Sequence, residues 1–217
     1  MKRKELLGQV LRMPYYKNHA AASGAVHNIA SHEDAFEDLL IAGGMNEHLK
    51  DTFLKKTKSK ITKKERDSWR HTGIAVGMPP NSYISQPCGP NNSPDFIVKF
   101  GDGSIEFIEC KSVKDASKQP MFNSGIPVET YLYVFCAEKY DETTLFYGQD
   151  VCPPQDYELF QKIISEHRKI DERYNPQFVN KFGLQHYTRP MVKHVGGTNY
   201  FKNPYRKEIE QRVLDGV

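Results

Sequence analysis

Three side chains in "SPDFIVKFGDGSIEFIECKS", residues 93–112, have the types and spacing for hydrolytic chemistry: Asp95, Glu109 and Lys111. Two carboxylates brought together repel each other unless a positive charge lies between them. Mg²⁺ suits that position, because it takes oxygen ligands from one or two carboxylates, water and substrate phosphate. A lysine beside the ion would hold an attacking water or a phosphate oxygen, and the group as a whole would serve phosphodiester hydrolysis. The same three residues on an exposed hairpin would form a surface ion cluster without chemistry.

The elements that position them decide between the two. Two short strands are expected near 95–100 and 104–111, joined at Gly101-Asp102-Gly103. Side chains alternate between the faces of a strand, so Glu109 and Lys111 share one face while Cys110 points to the other. Asp95 joins them if the loop has three residues, with Phe100 opposite Ser104 and Gly103 in the left-handed position. A two-residue Asp102-Gly103 loop would send Asp95 to the far face. The chemistry therefore requires the three-residue register, or a bulge that restores it.

The motif resembles that of the PD-(D/E)xK nuclease superfamily, with Asp95, Glu109 and Lys111 in its three positions. The wider run over 86–151, with Asn123-Ser124, Pro127 and "YLYVF" after "IECKS", is similar to the core of type II restriction endonucleases. The resemblance implies a restriction-endonuclease-like fold and a sequence-specific endonuclease that cuts double-stranded DNA with Mg²⁺, Mn²⁺ substituting, to leave 5′-phosphates. It implies a homodimer, since one centre cuts one strand, and a cognate DNA methyltransferase outside any stable complex. It also suggests a further metal-ligating glutamate from a preceding helix, with Glu37 placed ahead of Glu33. Gln86, Ser112 and Asn123 flank the centre as accessory candidates. A repair, junction or transposition nuclease of the same superfamily, a catalytically inactive DNA-binding module, and an interaction domain with incidental acids are the alternatives.

The rest of the chain reads as the frame for this hairpin. Residues 31–43 are expected to be helical, with Ser31 and Asp34 as a capping-box-like start, Gly43-Gly44 as the stop and Phe36, Leu39 and Leu40 as the apolar stripe. Residues 46–70 read as a lysine-rich helix, and 72–94 as loop. "TYLYVFCA" (130–137) reads as a buried central strand, with "TTLFYG" (143–148) as its neighbour. An amphipathic helix over 156–171 follows, and a short final helix begins at Pro204. The expected fold class is α/β (α+β), a central mixed β-sheet flanked by helices. One nuclease domain spans 1–217, with a helical region about 1–72, a catalytic core about 84–171 and a basic segment about 172–217.

DNA contacts need cations for phosphates and Arg, Lys, Asn or Gln for base edges. Arg189, Lys193, His194, Asn199, Lys202 and Arg206 are interleaved with aromatic residues in the basic segment. Asn91 and Asn92 precede Asp95, and Lys114 and Lys118 follow the catalytic strand. A basic surface loop with aromatic anchors is the plainer account of the same segment.

Composition limits the class. Thirty Lys and Arg against 27 Asp and Glu give +3, so nucleic-acid binding depends on where the cations gather. The four cysteines form no CxxC pair, which disfavours a zinc knuckle. No secretory signal and no long apolar run are apparent, and a cytoplasmic setting with free thiols is expected.

Overall fold

The structure, a computed structural model, describes residues 1–18, 31–48, 77–88, 93–114, 120–122, 125–188, 191–193 and 199–216, with Lys193 described for its backbone only. Helices α1 (Arg3–Val10) and α2 (His32–Ala42) are followed by strands β1 (Asn46–Glu47), β2 (Ser82–Ser85), β3 (Phe96–Lys99), β4 (Ile105–Val113) and β5 (Met121–Phe122). Strands β6 (Leu132–Ala137) and β7 (Glu142–Tyr147) lead into α3 (Gly148–Val151) and the long α4 (Pro154–Tyr174). Strand β8 (Val192–Lys193) and helix α5 (Arg206–Asp215) complete the chain.

The fold is a mixed α/β layer. Six strands pair in the order β1-β2-β3-β4-β6-β7, while β5 and β8 form a separate antiparallel pair. Strand β4 pairs antiparallel with β3 and parallel with β6, so it sits centrally between two partners. The β4–β6 step requires a crossover, which the chain makes through residues 114–131.

Alternation divides the sheet into two apolar faces. Phe96, Val98, Ile108, Cys110, Leu132 and Val134 pack with α1, α2 and Val213 of α5. Ile97, Phe107, Tyr133, Phe135 and Phe146 form the second face, covered by Met78, Phe122, Tyr131 and Tyr200 from short segments. Stacked and edge-on rings join this cover to the sheet, with Tyr133 against both Phe122 and Phe146.

Several local expectations are met. Ser31 Oγ accepts the Asp34 N–H at 3.1 Å and Asp34 Oδ2 accepts the Ser31 N–H at 2.9 Å, a complete capping box. Phe36 and Leu40 of the expected stripe are fully buried. Two expectations are corrected. Asn46 and Glu47 begin no helix; they pair in parallel with Ser82 and Tyr83. Within the expected loop 72–94, Ser82–Ser85 forms a strand buried at every position, because its backbone pairs with β3 whatever turn formers flank it. The remainder of the lysine-rich run lies outside the described residues. No helix among the described residues is long and apolar enough to cross a membrane.

Candidate active site

The β3–β4 hairpin takes the three-residue register. Phe96 pairs with Ile108 and Lys99 with Ile105. At the tip, the Phe100 N–H donates to Ser104 O at 2.9 Å and the Gly103 N–H to Phe100 O at 3.0 Å. Gly103 has φ +85°, a left-handed conformation that glycine adopts without a Cβ clash. Counting from Phe96, Asp95 stands one step beyond the ladder, opposite Glu109 and on the face that carries Phe107 and Lys111. The ladder distorts there: the Asp95 N–H donates to Ile108 O at 3.0 Å, and Asp95 Oδ2 accepts the Cys110 N–H at 2.7 Å. The aspartate side chain thus takes a backbone hydrogen bond that a continuing strand would take.

Glu109 is 5% exposed. Its Oε1 accepts Lys111 Nζ at 2.5 Å, whereas its buried Oε2 has no hydrogen-bond partner. Leaving a buried acceptor unpaired costs about 1–3 kcal/mol, and more for a charged group. Burial, then repulsion from Glu109, raises the Asp95 pKa to about 7, against the Cys110 N–H and Lys111, which act to lower it. Burial works to lower the Lys111 pKa, but the Glu109 carboxylate outweighs it and holds the ammonium above its usual value. Two crowded carboxylates, one orphaned oxygen and one ammonium make an electrostatically incomplete set. A divalent cation fits the donor chemistry, with Asp95 and Glu109 as the residues that would hold it. No cluster of three or more His, Cys, Asp or Glu side chains grouped for a metal exists among the described residues. The protein would therefore supply two carboxylates and leave other positions to water and phosphate, as Mg²⁺ sites commonly do.

The helix acid nearest in effect is Glu33. Its charge adds to the upward push on Asp95, and also reaches Cys110. Glu37 instead lies against the Tyr83 hydroxyl, whose pKa burial and this carboxylate push up. One helical turn separates the two glutamates along the same face of α2. Tyr133, paired with Glu109 across β4 and β6, also borders the centre; its hydroxyl accepts the Val128 N–H at 2.9 Å, and burial followed by the Glu109 charge raises its pKa. Sequence reading did not find it, because parity across a parallel pair depends on a crossover the residue pattern does not fix.

The accessory candidates separate. Gln86 is exposed, has φ +44° and donates its N–H to Asp95 O at 2.6 Å, so its backbone adjoins the centre. Ser112 alternates to the face of Cys110, away from the carboxylates. Asn123 lies outside the described residues.

Of the DNA-contact candidates, Lys114 and Lys202 are exposed and open to solvent. Arg206 is not: it is 8% exposed, with Nε 2.7 Å from Glu210 Oε1, Nη1 2.6 Å from Glu142 Oε2 and its guanidinium 4.7 Å above the Phe201 ring. Burial and those carboxylates commit it to the core. Asn199 is likewise committed, since its Nδ2 donates to the Tyr140 hydroxyl at 2.7 Å and its Oδ1 accepts the Phe201 N–H at 2.9 Å as a helix cap. Lys193 pairs through its backbone with Met121. Asn91, Asn92, Lys118, Arg189, His194 and the side chain of Lys193 lie outside the described residues.

No protein-family model, curated protein or solved structure matches the chain.

Proposed function

We propose that the chain is a Mg²⁺-dependent endonuclease of the type II restriction kind, which hydrolyses double-stranded DNA at a specific sequence and leaves 5′-phosphates. The observation that carries the proposal is the buried, unpaired Glu109 Oε2 beside an Asp95 whose charge the same glutamate opposes. Such an arrangement is costly in a purely structural ion cluster and is relieved by a cation.

A bound divalent ion supplies an acidified water and neutralises charge on the phosphoryl oxygens. The chain's own part follows from the positions of its residues. Asp95 and Glu109, which share one face of the β3–β4 hairpin, would hold the cation. Lys111, at 17% side-chain exposure, and the partly exposed Asp95 are the members of the set that substrate can reach. Held as an ammonium, Nζ donates to the attacking water and to a non-bridging phosphate oxygen; it is not the base. As the water oxygen bonds to phosphorus, the bond to the 3′ oxygen breaks. The attacking water gives up its proton to solvent, the 3′ oxygen leaves and takes a proton from solvent to become a hydroxyl, and the phosphate stays on the 5′ side. Sequence specificity and the restriction role are carried by the resemblance around "SPDF" and "IECKS".

Incubating the protein with phage or plasmid DNA, in Mg²⁺ and in EDTA, and sequencing the fragment ends tests this reading. Discrete fragments with constant ends and 5′-phosphates, formed only with the metal, are expected. Nicking that follows DNA structure rather than sequence would mark a nuclease of another role, and intact DNA under all conditions would refute the enzyme.

A further inference from the structure

The hydroxyl of Tyr133 is only half engaged. Tyr133 stands opposite Glu109 in the parallel β4–β6 pair, so the two side chains share the face that also carries Lys111. It is 2% exposed, and its ring is fixed between two others, stacked on Phe146 and edge-on to Phe122 with centroids 5.4 Å away in both cases.

A hydroxyl accepts through its lone pairs and donates through its single hydrogen. At Tyr133 the oxygen accepts the Val128 N–H at 2.9 Å, and the hydrogen has no acceptor among the described residues. The Val128 donor is itself firmly placed. Val128 O accepts the Tyr131 N–H at 3.0 Å, and Gly148 and Gln149 donate their N–H groups to Tyr131 O and Glu129 O, each at 3.1 Å. A Cβ at Gly148 would lie 2.0 Å from Val128 O, so the end of the crossover closes directly against the start of α3 and aims the hydroxyl. Burial, then the charge of Glu109, keeps the phenol protonated.

Glu109 has the complementary deficit. Its Oε2 is buried without a donor, and its Oε1 depends on Lys111. If Lys111 donates to water and phosphate, Glu109 loses the one donor it has. Hydrogen bonds from outside a metal centre are what orient its ligands, carboxylates included.

We propose that Tyr133 is a positioning residue of the centre: its O–H donates to the Glu109 carboxylate and so orients the oxygen that Glu109 offers a divalent cation. The bond is not made while Oε1 is held by Lys111, and release of the lysine frees the carboxylate to take it. The proposal rests on the reading of Asp95 and Glu109 as metal ligands.

The test compares Tyr133→Phe with Tyr147→Phe in the full chain. Each removes one hydrogen-bonded tyrosine hydroxyl, but Tyr147 donates to Glu106 on the opposite face of β4. Both variants should therefore melt below the wild type, and only one should disturb the centre. Mn²⁺ affinity is read from the electron paramagnetic resonance signal of the free ion, at a temperature where all three proteins are folded. It should fall about 10–100-fold in Tyr133→Phe, the range for losing an outer partner of a metal ligand. In Tyr147→Phe, which shares no partner with the centre, it should stay within about twofold of wild type. Cleavage by Tyr133→Phe should be lost at low Mg²⁺ and recover at saturating Mg²⁺. Wild-type Mn²⁺ affinity in Tyr133→Phe, or equal falls in both variants, would overturn the role of Tyr133 and leave the nuclease reading standing. Mn²⁺ binding that is lost in Tyr133→Phe, in a protein that cuts no DNA, would uphold Tyr133 and remove the nuclease. A wild type that binds no Mn²⁺ would overturn both.

Discussion

Lys111 and Glu109 stand two residues apart on β4 with Nζ 2.5 Å from Oε1, while the second oxygen of the same carboxylate is buried without a donor. Glu106 of the same strand, paired with Arg3, also leaves a buried oxygen unpaired. What sets the half-used Glu109 carboxylate apart is the second carboxylate it opposes, Asp95.

If Lys111 is a donor to water and phosphate, its removal should stop chemistry and spare binding. Lys111→Ala should lower cleavage by at least about 10²–10³-fold, the scale for losing one preorganised donor. Gel-shift affinity for DNA should change by less than about threefold. Equal loss of both would assign the lysine to binding.

Asp95 gives the stability of the metal-free protein a distinctive pH dependence. Its carboxyl rises from an ordinary value of 3.8 to about 7 on folding, so the folded state holds the proton more tightly. This contribution is present in full below about pH 4 and is lost as pH rises through about 7. In EDTA, the wild type should therefore lose thermal stability between pH 5 and pH 8, relative to Asp95→Asn, and the variant should melt higher at pH 8. Added Mg²⁺ should raise the wild-type Tm at pH 8, have little effect at pH 5, and leave the variant unchanged. Parallel melting curves for the two proteins across this range would contradict the assignment.

Much of this centre was legible in residue types and parity. The Gly101-Asp102-Gly103 loop fixes the register that puts Asp95 on the face of Glu109, and Ser31 with Asp34 fixes the start of α2. What was not legible depended on partners distant in sequence. Ser82–Ser85 is a strand because β1 and β3 flank it, although its neighbours are turn formers. Arg206 looks like a DNA-binding residue in a basic segment until Glu142, 64 positions away, is seen beside it. The amphipathic pattern of α4 predicts a helix correctly, yet the usual inference that its apolar stripe meets the core fails, because the stripe remains in water.

Arg206 accordingly belongs to folding. Removing one partner of a buried ion pair typically costs about 3–5 kcal/mol. Arg206→Ala should fall toward the lower end, since Glu142 is half exposed. Urea denaturation should show this loss, with DNA affinity of the folded fraction unchanged. Lys202→Ala, at an exposed site, should leave stability within about 0.5 kcal/mol.

The two glutamates of α2 should differ in their consequences. Glu33→Gln removes a charge felt at Asp95 and should lower cleavage several-fold while shifting its pH profile toward acid. Glu37→Gln, beside Tyr83, should leave that profile unmoved. A larger kinetic effect at Glu37 would restore it as the helix ligand.

The central claim is that Asp95 and Glu109 together hold a divalent ion, and it is tested most directly by Mn²⁺ titration followed by the electron paramagnetic resonance signal of the free ion. The wild type should deplete that signal, and Asp95→Asn and Glu109→Gln should each abolish the depletion while keeping the folded melt. A wild type that leaves the free Mn²⁺ signal untouched, or variants that deplete it equally, would contradict the account.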